Sequence, residues 1–208
     1  VNPGTQRLEV TGEAGVIEVA IDRPEGAQAR GFALIAHPHP LFGGTMDNKV
    51  VTTLARAAVS CGLAAVRFNF RGVGSSEGRF DEGSGETQDF LTLYQWAGTQ
   101  LPGATRKLAG FSFGAFVAAQ AATHLARQQT AHHGLFLAGV ATSRFAVPVV
   151  DPSTVVVHGE LDDVVPLASV MDWARPQELP VVVIPGASHF FDRKLSLIKR
   201  LAVDAFAA

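Results

Sequence analysis

Ser112 lies between two glycines in Gly110-Phe111-Ser112-Phe113-Gly114, a G-x-S-x-G pattern that presents a serine as a candidate nucleophile. Its setting matters more than its letters. Residues 106–109 read as a short strand, and residues 115–127 are rich in Ala with apolar residues at helical spacing. A sharp strand-to-helix turn holds the serine backbone in a strained conformation and lifts its hydroxyl clear. The two glycines remove Cβ atoms that would crowd such a turn. The Phe113 amide then opens a helix, where unpaired N–H groups favour developing negative charge. The plain structural alternative is a serine that merely caps a helix.

A serine nucleophile needs a base, and the base needs a carboxylate to orient it. In one known chain order of this constellation, the acid and then the histidine follow the serine. After Pro166 the chain has a single histidine, His189, in Gly186-Ala187-Ser188-His189. The segment Val155-Val156-Val157-His158-Gly159-Glu160-Leu161-Asp162-Asp163-Val164-Val165-Pro166 offers the acid. Asp162 and Asp163 compete there, with Glu160 as an outsider, because neighbouring side chains in a turn diverge. An oxyanion would be met by the Phe113 amide and by one amide of the loop after Ala36. In His37-Pro38-His39-Pro40-Leu41-Phe42-Gly43-Gly44 the prolines carry no N–H, which narrows the second donor to His39 or Leu41.

These residues need elements to bring them together. Residues 7–11 and 16–21 alternate apolar and polar around Gly12-Glu13-Ala14-Gly15, as an antiparallel hairpin does. From residue 32 onward strands and helices alternate. Strands are expected at 32–36, 64–70, 106–109, 134–140, 154–158 and 181–184. Helices are expected from Asp47 or Asn48 to about Ser60, then over 86–100 (stopping before Pro102), 115–127, 167–174 and 192–206. This is the pattern of an α/β fold with a mostly parallel central sheet and helices on both faces. Ligands of such sheets bind beyond the carboxyl ends of the strands, and the candidate residues all fall there.

Composition narrows the function. A chain of 208 residues with 47% hydrophobic and 17% charged residues is expected to form one globular domain over residues 1–208. A net charge of −2 argues against an electrostatic nucleic-acid or membrane binder. One cysteine, Cys61, excludes an internal disulfide and fits a reducing compartment. No apolar run suits a membrane span or a leader at Val1-Asn2-Pro3-Gly4-Thr5, so a cytoplasmic location is expected. The His37/His39 pair invites a metal reading, but Pro38 intervenes and no further cluster has ligand spacing, so neither metal nor cofactor is expected. The loop Arg71-Gly72-Val73-Gly74-Ser75-Ser76 lacks the Lys-Ser/Thr pair of a phosphate loop. Arg71 is expected to pair with Glu86 or Asp89, and His132-His133 to be a solvated loop pair.

Taken together, these motifs resemble a small serine hydrolase of the α/β-hydrolase superfamily, near the dienelactone hydrolase-like and lidless esterase groups. The resemblance rests on the His37–Gly44 loop, Asn69 through Ser76, Gly110 through Gly114, His158-Gly159 through Asp162 to Pro166, and Gly186 through His189. It implies an α/β-hydrolase fold with a catalytic set of Ser112, Asp162 and His189. It places Asp162 at the acid of H-G-x-x-D-x-x-V-P and favours His39 over Leu41 as oxyanion donor. Dienelactone hydrolases proper use cysteine where this chain has Ser112, so lactone specificity does not carry over. The implied reaction is hydrolysis of carboxylic esters on small acyl substrates. Thioester or amide hydrolysis, acyl transfer, or a non-catalytic binding module on the same fold are the alternatives. Between about Ala141 and Thr154 only about a dozen residues remain, with Pro148 and Pro152 among them, so no lid helix is expected. Phe42 and Phe190 are the candidates for the substrate pocket. No nucleic-acid or membrane partner is expected, and the oligomeric state is not legible.

Overall fold

A computed structural model of the chain describes residues 4–101 and 103–208. Val1 to Pro3, read above as part of the N-terminus, and Pro102, read as a helix stop, lie outside the described residues. Eight strands form one sheet: β1 (Gln6–Gly12), β2 (Gly15–Asp22), β3 (Gly31–Ala36), β4 (Ala64–Phe68), β5 (Thr105–Phe111), β6 (Leu135–Ala138), β7 (Val155–Gly159) and β8 (Val181–Ile184). Their order across the sheet is β1-β2-β4-β3-β5-β6-β7-β8. The β1–β2 hairpin and the β2–β4 pair are antiparallel, and all other pairs are parallel.

The sheet is covered on both faces, and β3 shows how. Phe32, Leu34 and Ala36 point into one apolar cluster, while Ala33 and Ile35 point into the other. Side chains alternate across a strand, so a continuous apolar run is what a strand buried on both faces requires. The first cluster takes in α2 (Ser84–Gln100), α3 (Phe113–Arg127) and α4 (Leu167–Ala174). The second takes in α1 (Lys49–Ser60) and α5 (Leu195–Ala207). Fully buried residues such as Phe32, Leu34 and Phe111 each contribute roughly 1.5–3 kcal/mol of apolar transfer. No helix among the described residues is long and apolar enough to cross a membrane.

Several element ends differ from the sequence reading, for identifiable reasons. β4 stops at Phe68 rather than Phe70, because the Phe70 N–H donates to the His37 ring (3.0 Å) and the Asn69 side chain bonds Met46 and Glu18. α2 starts at Ser84 because the Glu86 carboxylate accepts from the Asp81 and Gly83 amides and so caps the helix. α5 starts at Leu195 instead of residue 192, since Phe191 and Arg193 adopt positive φ (53° and 59°) that no helix accommodates. His132 is half-buried rather than solvated, and His133 is stitched to the start of β5, its ring accepting from the Arg106 N–H at 3.0 Å. Arg71 takes Asp89 as its partner through two bonds of 2.8 Å.

Candidate active site

The turn that carries Ser112 is built by close approach. β5 ends at Phe111, α3 begins at Phe113, and Ser112 between them has φ 57° and ψ −117°. A non-glycine residue held there costs on the order of 1–3 kcal/mol and persists only where its surroundings over-determine it. A Cβ on Gly110 would lie 2.1 Å from the Gly114 carbonyl oxygen, and one on Gly114 would lie 2.4 Å from the carbonyl oxygens of Ala36 and His37. Both positions therefore exclude any side chain, and the second sets α3 directly against the end of β3.

Parallel register brings the other residues to the same rim. His189 Nε2 lies 3.0 Å from Ser112 Oγ, and His189 Nδ1 lies 2.7 Å from Asp162 Oδ2. A carboxylate only accepts, so Nδ1 carries the proton and Nε2 offers its lone pair to the serine hydroxyl. Asp162 Oδ1 accepts from the amides of Val164 (3.0 Å) and Val165 (2.7 Å). Burial by itself would raise the Asp162 carboxyl, but the bonds from His189 and Val165 outweigh it and hold the group below its ordinary value. Asp163, the competitor, is exposed and takes no part in this line, and Glu160 bonds the Gly186 amide instead.

The loop after β3 is pinned by His37. Its Nδ1–H donates to the Pro38 carbonyl at 2.6 Å, and its Nε2 accepts from the Phe70 amide. Burial lowers its pKa to about 4, so the ring is neutral and both nitrogens are engaged. His39 faces the cleft, with its Nδ1 accepting from the Leu41 N–H at 3.2 Å. That bond engages the Leu41 amide. The His39 and Phe113 amides have no backbone partner among the described loops and turns. Burial, and then the positive charge of Arg144, lower the His39 pKa. In the Gly/Ser loop after β4 the Ser75 amide is already engaged, since the Glu18 carboxylate accepts from it and from Asn69.

A cavity of about 300 Å³ opens beside Ser112 and His189. Phe42 and Phe190, the two expected pocket residues, both line it. So do Arg144, Phe145, Val164 and Val165, which the sequence reading did not single out. The carboxyl-end rule that placed Ser112 and His189 also applies to the segment after β6, and it was the available signal for Arg144 and Phe145. The chain between β6 and β7 contains no helix; it makes a turn at 141–145, in which the Phe145 amide donates to the Ala141 carbonyl at 3.1 Å, and a second at 151–154.

Comparison with known proteins agrees with the fold. The family model for the X-Pro dipeptidyl-peptidase (S15) family matches residues 14–133. An α/β serine hydrolase without a lid from Xanthomonas campestris is 35% identical, with a TM-score of 0.88 over 99% of this chain and 94% of that one. An α-beta serine hydrolase homologue from Coxiella burnetii is 39% identical, with a TM-score of 0.82 over 96% of each chain. A Rickettsia prowazekii protein described as uncharacterized is 34% identical over 177 residues, which is 78% of this chain and 73% of that one.

Proposed function

We propose that this chain, which belongs to the S15 family and has the fold of α/β serine hydrolases, hydrolyses carboxylic esters of small acyl substrates through an acyl-serine intermediate. The observation that carries this reading is the line from Ser112 Oγ through His189 to Asp162, at 3.0 and 2.7 Å, beside an open cavity. Ser112 Oγ attacks the ester carbonyl while its proton passes to His189 Nε2. Asp162 holds the ring and stabilises the imidazolium. The Phe113 and His39 amides receive the oxyanion. His189 then protonates the leaving alkoxide, and water, activated by the same nitrogen, releases the acid.

The lack of a helix in the segment between β6 and β7 supports short, dissolved substrates. Each buried methylene adds about 0.8 kcal/mol only as far as the cavity extends. Acetate to hexanoate esters are expected to react faster than palmitate esters, with no rise in rate as substrate passes into micelles. The direct test is labelling with a fluorophosphonate, read by peptide mapping, alongside a panel of esters, thioesters and amides. An adduct on any residue other than Ser112 contradicts the proposal.

The S15 match favours a second reading, cleavage of peptides after an X-Pro pair. That match covers Ser112 but neither Asp162 nor His189. A dipeptidyl-peptidase must also hold a substrate ammonium group. Among the described residues no Asp or Glu lines the cavity, and its one formally charged side chain is the cation Arg144. The charge of the pocket therefore favours the ester reading, and the amide arm of the panel tests the other.

A further inference from the structure

Two exposed phenylalanines stand at the mouth of the cavity, and each has a cation over its ring. Lys49 Nζ lies 5.6 Å from the centre of Phe190, and the Arg144 guanidinium lies 5.5 Å from the centre of Phe42. The two cations differ in two respects. Lys49 is ion-paired with Asp192, whereas Arg144 pairs with no carboxylate among the described residues. Lys49 does not line the cavity, and Arg144 does.

The backbone that carries the exposed Arg144 side chain is held in place. It sits on the turn at 141–145, where its neighbour Phe145 stacks on Phe116 at 4.8 Å and packs on Phe113 at 5.1 Å. Thr142 on the same turn bonds Ser169 of α4 at 2.8 Å. A guanidinium lying on an aromatic face keeps its N–H edge free, and that edge matches a carboxylate or phosphate with two parallel bonds. Val164, Phe42 and Phe145 line the same cavity, and Arg144 is exposed, so its edge is within reach of a dissolved anion.

We infer that Arg144 is a specificity-determining residue, selecting esters that carry a second, anionic group a few bonds from the scissile carbonyl. This rests on the ester-hydrolase reading above. The shared chemistry is a carboxylate or a phosphate-like anion at the end of a short chain, received by the Arg144 edge while the carbonyl sits at Ser112.

The test uses matched pairs of chromogenic esters. On the acyl side, the 4-nitrophenyl monoester of glutaric acid is compared with its neutral methyl diester analogue and with a phosphonate-terminated analogue. On the alcohol side, 4-acetoxybenzoate is compared with its methyl ester. The ratio of kcat/KM, anionic over neutral, is expected to be about tenfold to a hundredfold above one on at least one side. Arg144→Gln is expected to bring that ratio to about one, acting through KM, while Arg144→Lys retains part of it. Raising salt from about 0.05 to 0.5 M is expected to shrink the ratio in the parent protein and not in Arg144→Gln. The glutarate and phosphonate arms separate the two anions. A ratio near one on both sides in the parent protein overturns the inference. So does a preference that survives in Arg144→Gln, or an equal loss on anionic and neutral esters, which would mark a packing role. Fluorophosphonate labelling of Ser112 in the same preparations keeps a failure here distinct from a failure of the ester-hydrolase reading.

Discussion

At the floor of the cleft, Ser112, His189 and Asp162 are buried, and their side chains are joined by directed hydrogen bonds. At its mouth, Phe42 is 72% exposed and Phe190 42% exposed, and ring contacts with His39, Phe111 and His189 and the two overlying cations hold them. Hydrogen bonds fix angle and distance, and a buried one is costly to leave unmade. Ring and cation contacts are broad in geometry and weak at exposed sites. The contrast teaches that the chemistry of this site is set within tight limits, while its selectivity is open to change by single substitutions at the rim.

The sharpest way to break the buried side is Ser112→Ala, which is expected to lower ester turnover by about 10⁶-fold. Steady-state assay together with loss of fluorophosphonate labelling checks this. Next comes the acid. Asp162→Asn is expected to cost about 10⁴-fold, because an amide presents the wrong hydrogen-bonding pattern to His189 Nδ1. Asp163→Asn, on an exposed side chain, is expected to change activity by less than about threefold. If the Asp163 variant is the inactive one, the acid is misplaced by one residue.

A third prediction concerns stability. His37 has a folded pKa of about 4 against an ordinary 6.5. Between those values the unfolded chain binds the proton and the folded chain does not. The stabilisation is thus complete above about pH 6.5 and is lost as pH falls towards 4, on the order of 3 kcal/mol from this residue. His158, also lowered chiefly by burial, acts in the same direction. Urea melts across this range are expected to show the slope, and His37→Asn is expected to reduce it. An unchanged slope in that variant would show that His37 is not its source.

A smaller effect than that of the triad variants belongs to the exposed residues. Phe42→Ala removes a ring that is only partly buried, so KM for butyrate esters is expected to rise by about fivefold, with kcat changing by less than about twofold. The same variant removes the surface under Arg144 and is expected to narrow the preference for anionic esters. A large fall in kcat instead would mean that Phe42 holds the His39 loop in its reactive position.

How far the sequence could be read followed the range of the forces involved. Ser112 was legible because its glycines and its strand–turn–helix setting are local. His189 was legible because no other histidine follows Pro166. Asp162 and Asp163 could not be separated by residue type, and only resemblance favoured the first. The geometry that brings Asp162 to His189 depends on the turn at 159–165, where the Val164 and Val165 amides orient one carboxylate.

The α/β alternation and the candidacy of Ser112 and His189 were thus determined by the sequence itself, since periodicity, glycine placement and residue counts are properties of a single stretch of chain. The cavity was decided only by tertiary structure. Phe42 comes from the loop after β3, Arg144 from the turn after β6, Val164 from the loop after β7 and Phe190 from the loop after β8. No spacing along the chain relates these four. They meet because parallel strands in the order β3-β5-β6-β7-β8 end on one rim, and side-chain packing across that rim sets the shape and charge of what can bind.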